Sequence, residues 1–170
     1  TDPALQAAHA VAPWIATWDD HEVSNDYAGA VSENPAADPA GFLLRRAAAY
    51  RAYYEHMPLR RSARPAESHL RLHRRLDFGR LARFHVLDTR QYRTDQPSGP
   101  RLQPAGARLQ EPDATMLGVE QRRWLFDGLD GSRANWNVIA QQVLMAPVDR
   151  VPGHEVVGDV AKWAGYEAAR

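Results

Sequence analysis

The chain has 170 residues, 44% of them hydrophobic and 25% charged, enough for one globular domain with a core of its own. Its 21 basic and 21 acidic side chains cancel, which excludes a nucleic-acid or anionic-membrane surface spread over the whole domain but leaves room for a local basic patch. The absence of cysteine excludes disulfides, thiolate metal sites and a cysteine nucleophile, and no apolar run approaches the ~20 residues of a membrane-spanning helix.

Asp2-Pro3 ahead of an alanine-rich stretch predicts a helix capped by Asp2 and ended by Pro13. Because the chain opens on Thr1 and shows no signal-peptide pattern, an upstream region is expected in the gene product. Residues 11–18 form a short apolar, β-branched run stopped by Asp19-Asp20, and they predict a buried strand whose carboxyl end delivers ionisable groups. In open α/β sheets ligands bind at that end. Asp38-Pro39 predicts the start of a helix over 40–57, with Phe42, Leu43, Ala47, Tyr50 and Tyr54 on its core side and Pro58 closing it. Residues 70–76 and 81–87 flank Asp77-Phe78-Gly79-Arg80 and predict a hairpin. Residues 94–112 lack periodicity and predict one long surface loop of the kind that borders active sites. An amphipathic helix is expected over 118–129 with Trp124, Leu125 and Leu129 inward, then a buried strand over 136–145 and a last helix over 156–170.

Asp19, Asp20, His21 and Glu22 are consecutive, and Asn25 and Asp26 follow closely. Carboxylate and amide oxygens are the donors that hard cations such as Ca²⁺, Mg²⁺ or ferric iron favour, and a histidine beside them can bind metal or stabilise a phosphoryl oxygen. Alternating side chains cannot all face one centre, so one aspartate and Asn25 are expected to point inward while Glu22 orients a neighbour. The same residues also suit a solvated acidic turn in which Asp19 caps and His21 is exposed, and the cluster alone leaves both readings open. Asp88, Arg90, Tyr92 and Arg93 form a second dense group, in which Arg90 can contact a substrate phosphate or pair with Asp88 to hold the following loop. His56, His69, His73, His85 and His154 lack metal-ligand spacing and are read as structural or exposed.

The run from Pro13 through Trp18-Asp19-Asp20-His21-Glu22-Val23-Ser24-Asn25-Asp26 to Gly29 resembles the signature of the PhoD-type phosphatases. Three further blocks resemble the family in the same order: Phe78-Gly79 with Leu87 to Asp95, Leu117-Gly118 with Gln121 and Trp124-Leu125, and Ser132 with Trp136 and Gln141 to Met145. Long ordered matches are more specific than one short motif. The resemblance implies an α/β (α+β) fold, part of a four-layer αββα metallophosphatase sandwich, with residues 1–170 as the central part of a single catalytic domain whose terminal parts lie outside the chain. It implies hydrolysis of phosphate monoesters and diesters at a site containing Ca²⁺ and Fe³⁺, other divalent metals being possible. On this correspondence Asp20 and His21 are catalytic, with His21 the partner of the phosphate in the transition state. Asp20, Asn25 and Asp19 are metal ligands, Asn25 also contacts the phosphate and Glu22 orients its neighbours, while the residue types of the second group, apart from the correspondence, set Arg90 toward the substrate and Asp88 as an orienting group.

The implied partner is a phosphate ester, whether small molecule, phospholipid or teichoic-acid-like, and the implied location is extracellular or periplasmic. The family's upstream cysteine, aspartate and tyrosine ligands and its downstream aspartates and histidines are absent from these residues. The tail also lacks the aspartates the family carries before Trp163 and Gly165, so the isolated chain is expected to show little or no activity. Two alternatives stand beside this reading: a secreted phospholipase D on the same scaffold, and a calcium-stabilised binding module in which Asp19, Asp20, Asn25 and Asp26 hold an ion without catalysis.

Overall fold

Asp2 caps the first helix, α1 (Pro3–Val11), by accepting from the amides of Ala4 at 2.8 Å and Leu5 at 3.3 Å, with Pro3 pre-set for the first turn. The computed structural model describes residues 2–105 and 112–170. Asp38 repeats the device at α2 (Pro39–His56), accepting from Gly41 at 2.7 Å, and this helix buries Phe42, Tyr50 and Tyr53. A 3₁₀ turn over Arg61–Ala63 precedes the hairpin of β1 (Arg74–Phe78) and β2 (Ala82–Val86). The hairpin reverses at Gly79, whose φ of +54° is the left-handed conformation that favours glycine. After β3 (Leu102–Pro104), helix α3 (Gly118–Asp130) crosses over to β4 (Trp136–Ala140), which lies parallel to β2 in a sheet of order β1-β2-β4. Strand β5 (Val157–Asp159) pairs antiparallel with β3 as a separate ribbon, and a 3₁₀ turn follows over Trp163–Tyr166.

The sequence-based expectations hold for α1, α2, α3 and the hairpin, and fail in four places. Residues 11–18 are extended but not a strand: Arg74 donates to the Ala16 carbonyl at 2.8 Å and Thr17 donates to the Leu87 carbonyl at 2.9 Å, so side chains do the work a ladder would do. The 136–145 strand stops at Ala140 and is not buried, since β4 is the edge of its sheet and Trp136 is 68% exposed. The 94–112 loop contains β3, and 106–111 lie outside the described residues. The 156–170 helix is instead β5 and a 3₁₀ turn, within which Gly165 lies so close to Val160 that any Cβ there would overlap its carbonyl.

Two apolar clusters make the core. One centres on Trp18, which is fully buried and stacks on Tyr50 at 4.3 Å between ring centroids; the other gathers Leu87, Met116, Leu125, Trp163 and Tyr166. Residues 87–93 run between them, Leu87 in the second cluster and Asp88 accepting from the Trp18 indole at 3.0 Å.

His73 packs edge-on against Tyr92 and Trp124, with centroids 5.5 and 5.0 Å away. Burial, reinforced by Arg71, His69 and Arg75, pushes its pKa down from 6.5 to about 4. The unfolded chain therefore takes up this proton first as the pH falls, so the stability contributed by neutral His73 is present above about 6.5 and is lost between there and about 4. Allowing for partial exposure, urea unfolding should show about 1–2 kcal/mol lost between pH 7 and pH 5. That loss should vanish in His73→Phe; an equal slope in the variant would refute the assignment.

Candidate active site

The peptide turns sharply after Asp20, whose carbonyl accepts from the Val23 and Ser24 amides at 2.9 and 2.8 Å. Glu22 closes the turn from the other side by accepting from the Asp19 amide at 3.0 Å, as a capping-box glutamate does. Asp26 sits at φ +44°, a conformation aspartate tolerates better than most residues, and from there its amide donates to Asp20 Oδ2 at 2.8 Å.

Beneath the turn lies Arg90, fully buried. Its Nε donates to Asp19 Oδ1 at 2.6 Å, Nη1 reaches Asp26 Oδ1 at 3.5 Å, and Nη2 is 3.5 Å from Asp20 Oδ1, a charge contact rather than an aligned hydrogen bond. Three carboxylates thus share one guanidinium. Arg101 supplies a second positive charge, donating to Asp26 Oδ2 at 2.9 Å and to Asp159 at 3.1 Å, while Arg93 donates to the Asp26 carbonyl at 2.8 Å. Burial alone would push the Asp20 carboxyl up, but the Asp26 amide and Arg90 outweigh it and hold the group below the ordinary aspartate range. Asp20 is therefore an ionised carboxylate at neutral pH, only 7% exposed.

Asp88 is built into the floor. Its Oδ1 accepts from the Trp18 indole at 3.0 Å and from the Arg90 and Gln91 amides at 2.9 Å each, and its Oδ2 accepts from the Gln91 side chain at 3.1 Å. Full burial pushes its carboxyl above the ordinary aspartate range, and these four N–H donors oppose the shift. The expected side-chain pairing of Asp88 with Arg90 does not form: Asp88 holds the Arg90 backbone, which frees the guanidinium to reach across to the turn.

His21 and Asn25 stand on the outer face. The His21 side chain is 82% exposed with Nε2 3.9 Å from Asp20 Oδ2, and Asn25 is exposed and donates to Glu33 at 2.6 Å.

A model of the PhoD-like phosphatase family matches residues 1–170. The chain belongs to the PhoD-like phosphatase family. It is 47% identical over 170 residues to alkaline phosphatase D of Bacillus subtilis (strain 168), which covers 100% of this chain and 29% of that protein. A solved structure described as that of PhoD matches with a TM-score of 0.93 at 46% identity, over 99% of this chain and 32% of that one. This PhoD-like chain therefore spans less than a third of the length of these relatives, and its α/β class is that of the solved fold.

Within the PhoD-like signature the structure gathers Asp19, Asp20, Asp26 and Arg90 and leaves His21 and Asn25 facing outward. The oxygen-rich donor set suits a hard cation, but its number does not suffice: among the described residues no three His, Cys, Asp or Glu side chains converge as a metal cage. Both Asp26 oxygens are engaged by arginines, leaving Asp20, the free oxygen of Asp19 and the Asn25 amide oxygen as incomplete offerings. The sequence reading did not find Arg101 and Asp159. Arg101 lies 75 residues from Asp26 in a stretch without periodicity, so no local pattern could announce it.

Proposed function

We propose that the full-length protein carrying this chain hydrolyses phosphate monoesters and diesters, with residues 1–170 as the central part of one catalytic domain and the Asp19–Asn25 turn as its phosphate-facing edge. The observation that carries the reading is an ionised, nearly buried Asp20 clamped between Arg90 and the Asp26 amide, directly beneath an exposed histidine, in a chain of the PhoD-like phosphatase family.

In this reading Asp20, Asp19 and Asn25 give oxygen donors to a calcium- and iron-containing centre that residues elsewhere in the protein complete. When bound, such metals polarise phosphoryl oxygens and acidify a water. His21 is free to turn, so that its imidazole can donate to a phosphoryl oxygen or protonate the leaving oxygen. Glu22 fixes the Asp19 backbone and Asp88 fixes that of Arg90. Arg90 would have to abandon three carboxylates to touch substrate, so its role here is positioning rather than the phosphate contact expected from sequence. The substrates this reading admits are small-molecule, phospholipid or teichoic-acid-like esters met outside the cytoplasm.

The test supplies Ca²⁺ and Fe³⁺ to the full-length protein and offers bis(p-nitrophenyl) phosphate, a phosphomonoester and a choline phospholipid. Turnover of the first two, abolished by EDTA, is expected, with none from the isolated 170-residue chain. Turnover of the lipid alone would mark a phospholipase D. Calcium-raised melting without any turnover would mark a binding module and overturn the hydrolase reading.

A further inference from the structure

A pocket of about 180 Å³ has Arg101, Arg150, Lys162 and Asp159 on its walls and Leu144 and Val148 among its apolar lining, and it adjoins the Asp20 turn through Arg101, which bonds Asp26. Three cations face one carboxylate there. Arg101 is committed to Asp26 and Asp159, whereas Arg150 and Lys162 make no ion pair among the described residues. The main chain is tied down at both: the Arg150 amide donates to the Val157 carbonyl at 2.8 Å, on β5, and the Lys162 amide donates to the Asp159 carbonyl at 3.0 Å, while the Arg150 side chain is exposed and the Lys162 side chain half-buried. The pocket is smaller than the roughly 300 Å³ at which organic-ligand sites begin, and its lining is cationic, so its size and charge suit a single tetrahedral oxyanion.

We propose that this pocket is a phosphate subsite, in which the guanidinium fork of Arg150 and the Lys162 ammonium receive a phosphate group next to the candidate active site. The arginine offers paired donors to two oxygens, and the lysine acts as a point charge. Arg101 joins the pocket to the turn through one side chain, bonding Asp26, whose amide in turn holds Asp20. The occupant is either a second phosphate on the ester being hydrolysed or free inorganic phosphate. The proposal rests on the hydrolase reading for the first source and stands without it for the second.

The experiment compares the full-length protein with its Arg150→Gln/Lys162→Gln double variant, neither residue belonging to the proposed catalytic group. Kinetics are followed on a diester carrying one phosphate and on one carrying a second phosphate, and inorganic phosphate binding is followed by calorimetry. If the second phosphate of the substrate is the occupant, the variant's KM rises about tenfold for the two-phosphate ester alone, with kcat and the one-phosphate diester unchanged. If free phosphate is the occupant, its Kd weakens about tenfold while the two esters keep their KM ratio. Unchanged KM ratio and unchanged phosphate binding together overturn the subsite. Absence of turnover on any ester would sink the hydrolase reading instead, and calorimetry would still read the pocket.

Discussion

Replacing Arg90 by alanine is expected to destabilise the fold by about 3–5 kcal/mol, because it leaves three carboxylates facing one another without their shared cation. Asp26 is 3% exposed and Asp20 7%, so water cannot substitute for the guanidinium at either. Asp19, more open, contributes less of the loss. Arg90→Lys should recover only part of it, since an ammonium is a point charge and cannot span carboxylates arranged around a planar fork. Urea unfolding at pH 7 measures both variants. A loss below about 1 kcal/mol in Arg90→Ala would mean that the carboxylates are not held apart by this residue.

Asp20→Asn should behave in the opposite way, with the fold largely spared and activity lost. Asparagine keeps an oxygen to accept from the Asp26 amide, removes the charge and turns its NH2 toward Arg90 Nη2, which stands 3.5 Å from the replaced oxygen. In the full-length protein kcat/KM on a phosphodiester is expected to fall about 100- to 1000-fold, equivalent to about 3–4 kcal/mol of transition-state stabilisation, while the unfolding free energy falls by about 1–2 kcal/mol, less than in Arg90→Ala. Activity within tenfold of the parent would remove Asp20 from the catalytic group. Taken together, the two variants separate the residue that builds the turn from the residue the turn displays.

The features legible in the sequence were those whose causes are local. Asp2 and Asp38 announce helix starts because each cap needs only the next three residues, and Gly79 marks the hairpin because its φ is positive. The signature around Asp19 to Asn25 marks the family in the sequence, whereas the construction of the turn is not legible there. A short apolar, β-branched run says that residues 11–18 are extended without saying whether another strand offers them a ladder, and here Arg74 and Thr17 provide the bonds instead. The same holds for Arg90, whose sequence neighbour Asp88 is its obvious partner on paper. Asp88 spends its oxygens on amides and an indole, and the guanidinium finds its carboxylates 71 and 64 residues away. The close approach of Gly165 to Val160 inside the last 3₁₀ turn is likewise a contact that composition cannot express.

The segment 87–93 gives the two apolar clusters a common wall. Asp88 is tied to Trp18 in one and, through Gln121, to α3 in the other, with the Asp88 amide donating to Gln121 at 2.9 Å and Gln121 donating back to the Asp88 carbonyl at 2.8 Å. Opening either cluster strains that wall, so the two clusters are expected to melt as one unit, and hydrogen exchange should find the Asp88, Arg90 and Gln91 amides among the slowest. Arg90, the cation that holds Asp19, Asp20 and Asp26 together, is thus mounted on this wall, so the turn is anchored to both clusters through one side chain.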